Sequence, residues 1–312
     1  MTNRTPPDFA VPRGACDCHT HVFGPPAQFP FTPQRSYTPG EASLEELLAL
    51  QRDLHLDRVV IVQPSVYGTD NSCTVDALRR LEGRGRAVAV IDDDIGDAEL
   101  EALHRAGARG VRVNLATAGL DDPDVARRRL AATTARIAPL NWHVQIYTGM
   151  AVIAALQEEL AALPVPLVID HFGGASASAG PAPPGFAALL ALVGAGKAYV
   201  KLSAPYRSSS QRPDYADVAS LAAPLIAANP ARMLWGSDWP HPGGGRKHGQ
   251  SLEEIEPFFP EDDGLTLNLL AEWAPDPELR RQILVDNPAR LYDFRPGGES
   301  STSLLTTLSR LG

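Results

Sequence analysis

Eight short β-rich apolar runs alternate with amphipathic stretches, and this alternation constrains the fold more than any other feature of the chain. The runs fall at 16–23, 58–65, 87–92, 110–115, 143–148, 167–173, 198–204 and 233–239. The first amphipathic stretch starts at Ser43, with Glu46 at the spacing of a capping box. Eight strand–helix units predict a single-domain (β/α)8 barrel of the TIM type. A doubly wound sheet is the alternative, but no glycine-rich nucleotide loop follows the first run.

The predicted barrel occupies residues 15–295 and lies between an N-terminal extension at 1–14 and a C-terminal tail at 296–312. The long segment 240–274 follows the eighth run and contains a predicted helix at 266–273. Because active sites of barrels lie at the carboxyl ends of the strands, we expect this segment to cover one end of the barrel.

Composition excludes several classes of function. Hydrophobic residues make up 44% of the 312 residues and charged residues 21%, which is enough for a packed core. The net charge of −9 argues against nucleic-acid or anionic-membrane partners. No apolar run is long enough to span a bilayer, and the first residues lack the apolar core of a signal peptide. We therefore expect a cytoplasmic protein, either a monomer or a homodimer.

Side chains alternate between the two faces of a strand, so the sequence predicts which residues of the first run face the barrel interior. Asp17, His19 and His21 fall on one face, and Cys16 and Cys18 fall on the other. We expect the polar face to point inward. The two cysteines should then pack against the helices as small buried hydrophobic residues.

Polar side chains stand near the carboxyl ends of several runs. They are His19, His21, Arg112, Tyr147, His171, Ser203 and Asp238. Three histidines and an aspartate that meet at one mouth indicate a functional site rather than separate buried polar groups. Lys201 also falls on an inner face, where it is either a cation of the pocket or half of a buried ion pair with Asp17 or Asp170.

Short motifs distributed over nearly the whole chain carry a family resemblance. They are CHTHVFGP (18–25), RSYTP (35–39), YGTDN (67–71), AGARGVRVN (106–114), NWHVQIY (141–147), DHFG (170–173), WGSDWPHP (235–242) and LVDNPARLY (284–292). With these motifs the chain resembles the amidohydrolase superfamily and, within it, the family of 2-pyrone-4,6-dicarboxylate lactonase. The resemblance implies a hydrolase that opens the carboxylic ester of a small anionic lactone from aromatic catabolism.

The resemblance also implies roles for individual residues. Asp238 would be the base that activates water, and His19, His21 and His171 would surround the scissile carbonyl. The side chains expected to bind the substrate are Arg112, Arg207, Tyr147, Tyr37 and, as a pocket cation, Lys201. The family carries a second arginine six residues after the position of Arg112, and this chain has Ala118 there. This difference puts the dicarboxylate itself in question as the substrate.

Other functions of such a barrel stay open at this point. A sugar-acid lactonase or isomerase, a mononuclear metal-dependent hydrolase and a decarboxylase would use similar residues. The complete His/His/His/Asp set argues against a catalytically inactive binding barrel. The residues allow either no metal or one Zn²⁺ or Mn²⁺ held by His19, His21, His171 and Asp238, and the resemblance favours no metal. A binuclear centre is disfavoured because the fourth run has no lysine near its end.

Overall fold

Eight parallel strands, each hydrogen-bonded to the next in chain order, form the centre of the molecule in a computed structural model. The structure describes residues 4–116, 122–180, 183–243 and 251–294. The strands are β1 (Cys16–Thr20), β2 (Arg58–Val62), β3 (Gly85–Ala89), β4 (Ala108–Asn114), β5 (His143–Tyr147), β6 (Leu167–Ile169), β7 (Ala198–Ser203) and β8 (Met233–Gly236). All eight lie within or next to the predicted runs.

Backbone hydrogen bonds connect the last strand to the first. The N–H of Asp238 donates to the carbonyl of His19 at 2.9 Å, and the N–H of His21 donates to the carbonyl of Trp239 at 2.8 Å. These bonds lie at the carboxyl ends of β1 and β8, so the sheet is nearly closed there. The predicted (β/α)8 barrel in a single domain is confirmed.

Helices follow the strands and cover the barrel. They are α1 (Leu44–Asp53), α2 (Ser72–Arg80), α3 (Asp97–Ala106), α4 (Pro123–Ile137), α5 (Met150–Ala155), α6 (Gln157–Ala161), α7 (Phe186–Gly194), α8 (Pro205–Ser208), α9 (Ala219–Ala228), α10 (Asp263–Trp273), α11 (Pro277–Arg281) and α12 (Asn287–Leu291). The predicted capping box is present at α1, where the Glu46 N–H donates to Ser43 Oγ and the Ser43 N–H donates to the Glu46 carboxylate. Among the described residues, no helix is long and apolar enough to cross a membrane.

A β-bulge in β1 overturns part of the predicted side-chain pattern. Asp17 pairs with Val59 and Thr20 pairs with Ile61, so β1 has one more residue than β2 between these pairs. The alternation shifts at the extra residue. The prediction that the two cysteines face the helices is therefore wrong, although both are fully buried. Cys16 and Cys18 belong to the apolar cluster inside the barrel, together with Val60, Val62, Val88, Val168, Tyr199, Leu234, Tyr292 and Phe294.

The two ends of the barrel are closed differently. At the amino-terminal end, Tyr292 and Phe294 extend the interior cluster, and the Tyr292 ring lies 5.2 Å from the ring of His143. At the carboxyl end, a short parallel pairing of Thr38–Pro39 with Ile255–Glu256 joins the segments that follow β1 and β8. The second of these belongs to the 240–274 segment that was expected to cover this end. An open cavity remains at the carboxyl end.

The domain limits remain predictions, but the described residues are consistent with them. Among the described residues, the first strand begins at Cys16 and the last helix ends at Leu291. The N-terminal extension is bound to the barrel, since the N–H of Thr5 donates to the Asp262 carboxylate at 3.1 Å. The C-terminal tail at 296–312 lies outside the described residues.

Candidate active site

Four of the predicted site residues meet at the carboxyl ends of β1, β6 and β8. The Nε2 atoms of His19, His21 and His171 lie 3.4, 3.5 and 3.8 Å from the Oδ1 atom of Asp238. All four side chains are almost completely buried. The arrangement places one carboxylate oxygen at the centre of three imidazoles.

The backbone turns sharply where these side chains leave the strands. His171 and Asp238 both have left-handed backbone conformations, with φ of 48° and 66°. Such conformations are strained for residues other than glycine and often occur at functional sites. Gly236 allows β8 to approach β1, because a Cβ atom at that position would lie 2.7 Å from the Cβ of His19. Local sequence thus brings Asp238 within reach of the histidines.

The Nδ1 atom of each histidine is held by a second partner, which fixes the direction of the ring. His21 Nδ1 donates to the carbonyl of Val62 at 2.8 Å. His171 Nδ1 lies 2.9 Å from the Ser203 hydroxyl. His19 Nδ1 lies 3.2 Å from Lys201 Nζ and 3.3 Å from Asp170 Oδ1. Partners of this kind orient an imidazole, here with each Nε2 towards Asp238.

The electrostatic environment keeps the carboxylate charged and two of the histidines neutral. Burial, with the neighbouring Lys201 ammonium, holds the pKa of His19 well below its usual range. Burial also lowers the pKa of His171 to about 4. Burial by itself would raise the pKa of Asp238, but Arg207 and the histidines outweigh it and hold that pKa well below its usual range. At neutral pH the site therefore contains a carboxylate facing two neutral imidazoles, those of His19 and His171.

The second oxygen of Asp238, Oδ2, is occupied by two side chains from α8. The Tyr206 hydroxyl donates to it at 2.5 Å, and Arg207 Nε and Nη2 lie 3.0 Å away. Burial and the Asp238 charge raise the pKa of Tyr206 well above its usual range, so the phenol keeps its proton. Sequence reasoning missed Tyr206. The one available signal was its position beside Arg207, directly after β7.

Lys201 is not among the described residues that line the cavity at the carboxyl end, which argues against its predicted role as a pocket cation. The side chain is fully buried beneath His19, and its Nζ lies 3.5 Å from Asp170 Oδ1. Nζ also donates to Gln145 Oε1 at 2.7 Å. The second prediction for Lys201, a buried ion pair with Asp170, is the one that the geometry supports.

Asp170 connects this ion pair to Arg112. Its Oδ2 accepts hydrogen bonds from Arg112 Nε and Nη2 at 3.3 and 3.2 Å, and from Gln145 Nε2 at 3.1 Å. Burial alone would raise the pKa of Asp170, but Lys201, His19 and Arg112 hold it well below its usual range. The network thus fixes one edge of the Arg112 guanidinium, while the side chain still borders the cavity above.

A cavity of about 260 Å³ lies over His21, His171 and Asp238. The predicted substrate-binding residues Arg112, Arg207, Tyr147 and Tyr37 all line it. The Arg112 guanidinium lies 5.4 Å from the centre of the Tyr147 ring, and that ring meets His171 edge-on at 5.2 Å. Two cations and two phenols thus surround the space above the carboxylate, an arrangement suited to an anionic ligand.

Further lining residues were not predicted as site residues. They are Ser36, Pro64, Ser65, Asn114, Ala116, Pro242, Gly243 and Glu256. Glu256 reaches the cavity because its short strand pairs with residues 38–39, a long-range contact that leaves no pattern in the sequence. A second cavity of about 350 Å³ lies alongside and shares Ser65, Arg112 and Asn114. Ala118 and the loop residues Arg246, Lys247 and His248 lie outside the described residues.

The donor set fits one divalent cation. Within the described part of the chain, Asp238 Oδ1 and His19 Nε2 are buried without a hydrogen-bond partner. His19, His21 and Asp238 each offer one ligand atom within 4.8 Å of the others. Imidazole nitrogen and carboxylate oxygen are usual ligands of zinc. The inner face of β4 carries Arg112 rather than a lysine that could bridge a second ion, so a single ion is the most that this set suits.

The comparison with known protein families covers the whole site. A family model described as amidohydrolase matches residues 16–294. The chain belongs to the amidohydrolase family. This match covers all eight strands and every residue of the His/His/His/Asp set.

Individual proteins are similar to this chain over almost their whole length. The chain is 39% identical over 299 residues to 2-pyrone-4,6-dicarboxylate hydrolase of Comamonas testosteroni, which covers 93% of each chain. It is 37% identical over 289 residues to 4-sulfomuconolactone hydrolase of Hydrogenophaga intermedia, covering 91% of this chain and 90% of the other. A solved apo structure from Agrobacterium tumefaciens is 28% identical, with a TM-score of 0.78, and covers 93% of this chain and 100% of the other.

Proposed function

We propose that this amidohydrolase hydrolyses the ring ester of a small lactone that carries an anionic group, of the kind formed in aromatic catabolism. The observation that carries the proposal is the carboxylate of Asp238 beneath a cavity bordered by Arg112 and Arg207. Two of the similar proteins are named as hydrolases of a pyrone dicarboxylate and of sulfomuconolactone, which supports the same reaction. Loss of lactone with release of a proton, and without CO₂, tests the proposal. Release of CO₂ would indicate a decarboxylase instead.

Asp238 acts as the general base in this proposal. Its Oδ1 accepts a proton from water, and the water oxygen forms a bond to the lactone carbonyl carbon. The tetrahedral intermediate then collapses, and the bond between that carbon and the ring oxygen breaks. The ring oxygen takes up a proton as it leaves, and the new carboxylic acid loses its proton to solvent. Tyr206 and Arg207 hold the other carboxylate oxygen throughout.

The histidines return the proton to the leaving oxygen and stabilise negative charge on the carbonyl oxygen. Because His21 Nδ1 donates to the carbonyl of Val62, a neutral His21 carries a lone pair on Nε2. That nitrogen lies 3.5 Å from Asp238 Oδ1 and can accept the proton taken from water. The resulting imidazolium is a donor towards the leaving oxygen. Arg112 and Arg207 bind the anionic group of the substrate.

We expect turnover to survive removal of metal ions. A divalent ion held by His19, His21, His171 and Asp238 would polarise the carbonyl and lower the pKa of bound water. The protein already supplies positive charge of its own, because the guanidinium groups of Arg112 and Arg207 both border the cavity. Elemental analysis of the purified protein, with assays before and after exhaustive chelation, measures the dependence. Stoichiometric Zn or Mn whose content follows the activity would contradict this expectation.

Specificity is expected to favour a lactone with fewer carboxylates than the pyrone dicarboxylate. Ala118 stands where the family carries a second arginine. When a substrate carboxylate is desolvated in the site without a partner, kcat/KM for that substrate falls roughly a hundredfold. We therefore expect 2-pyrone-4,6-dicarboxylate to be a poor substrate beside a monocarboxylated lactone, and Ala118→Arg to improve it. Efficient turnover of the dicarboxylate by the natural chain would contradict this, and Arg246, Lys247 and His248 would be the next residues to replace.

The remaining predictions concern partners and location. We infer that the partner is a small anionic lactone rather than nucleic acid or a membrane, which the net charge of −9 supports. A cytoplasmic location and a monomeric or homodimeric state stay predictions.

A further inference from the structure

We infer that Tyr206 is a positioning residue that determines which carboxylate oxygen of Asp238 acts on the water. The inference rests on the proposed role of Asp238 as the base. The Tyr206 hydroxyl donates to Asp238 Oδ2 at 2.5 Å, whereas the histidines face Oδ1. The side chain of Tyr206 is buried and is not among the described residues that line the cavity. Tyr206 therefore acts through Asp238 and not through contact with the substrate.

Packing from three directions holds Tyr206 in place. Ala204, with φ of 52°, turns the chain from β7 into α8, which carries Tyr206. The phenol ring packs against Phe259 at 4.9 Å and meets His241 edge-on at 5.8 Å. His241 is in turn held by two contacts. Its ring Nε2 lies 3.1 Å from Asp263 Oδ1, and its backbone N–H donates to the backbone carbonyl of Asp238 at 2.7 Å. The Tyr206 ring and the backbone of Asp238 are thus both in contact with His241.

The Tyr206 hydroxyl affects which oxygens of Asp238 bind Arg207. A guanidinium and a carboxylate commonly form two parallel hydrogen bonds, one to each carboxylate oxygen. Such a pairing here would draw Oδ1 towards Arg207 and away from the histidines. Instead, Arg207 Nε and Nη2 both contact Oδ2, the oxygen that Tyr206 also holds. Oδ1 is consequently kept directed at the three imidazoles, where the proposed reaction needs a proton acceptor.

Tyr206→Phe tests the inference, with Tyr292→Phe as the matched control. The phenylalanine keeps the packing and removes only the hydroxyl, so we expect kcat to fall about tenfold or more while KM stays within about twofold. Tyr292 is also a buried tyrosine, but it lies at the opposite end of the barrel, and its hydroxyl has no partner among the described residues. Its variant should keep both constants. An unchanged kcat in Tyr206→Phe, or a loss that lies entirely in KM, would overturn the inference.

A crystal structure of Tyr206→Phe gives a second readout that does not depend on any substrate. We expect the Asp238 carboxylate to rotate so that Arg207 contacts both oxygens. A carboxylate that keeps its orientation without the hydroxyl would overturn the inference even if kcat fell. If the natural protein hydrolysed no lactone, the proposed function would fail, whereas the carboxylate orientation would still decide the role of Tyr206.

Discussion

Asp238→Asn should lower kcat by about a thousandfold, the middle of the range measured when a general base is lost. Asparagine has nearly the same size and can still accept hydrogen bonds from Tyr206 and Arg207 through one oxygen. Its amide nitrogen cannot accept a proton from water. Because Arg112 and the tyrosines of the cavity are unchanged, KM should change much less than kcat. Steady-state kinetics with a monocarboxylated lactone measures both constants.

The control for this variant is Asp214→Asn, at an exposed aspartate outside the cavity lining. It makes the same chemical change and should leave kcat and KM as they are. A melting curve shows whether Asp238→Asn remains folded once Arg207 has lost its countercharge. Turnover by a folded Asp238→Asn at the natural rate would show that another group activates the water.

The sequence predicts those parts of the site that depend on position along a single strand. His19, His21, His171 and Asp238 lie at strand ends, and parallel strands of a barrel end at one mouth, so their meeting could be predicted without coordinates. Arg112 and Tyr147 were also predicted from their positions near strand ends, and both line the cavity. The eight apolar runs were sufficient to predict the fold, because the outer face of each strand must be covered by a helix and an amphipathic stretch follows each run.

Features that depend on pairing between distant segments could not be predicted in this way. The bulge in β1 is defined by its register with β2, so simple alternation placed Cys16 and Cys18 on the wrong face. The depth of Lys201 in the barrel depends on Gln145 in β5 and on Asp170, directly after β6. Tyr206 reaches Asp238 only because of the turn at Ala204. In each case, a contact across the fold decides the side-chain position.

Lys201→Met should lower the free energy of unfolding by about 3 kcal/mol, because removing one partner of a buried ion pair leaves the other charge poorly compensated. The side chains of Lys201 and Asp170 are both fully buried, so the pair is shielded from solvent. Methionine has a similar length, so lost packing contributes little. Denaturant unfolding measures the change. Lys197→Met, at an exposed lysine directly before β7, is the control and should unfold like the natural protein.

The double variant Lys201→Met with Asp170→Asn separates the ion pair from packing. If the loss arises from an uncompensated carboxylate, neutralising Asp170 in the Lys201→Met background should recover part of the stability. The sum of the losses in the two single variants should then exceed the loss in the double variant. Arg112 would still lack its carboxylate, so recovery should be incomplete. Kinetics should also respond, because His19 Nδ1 lies between Lys201 and Asp170 and loses both charged partners. Strictly additive losses would mean that Lys201 contributes through packing and that its charge does not stabilise Asp170.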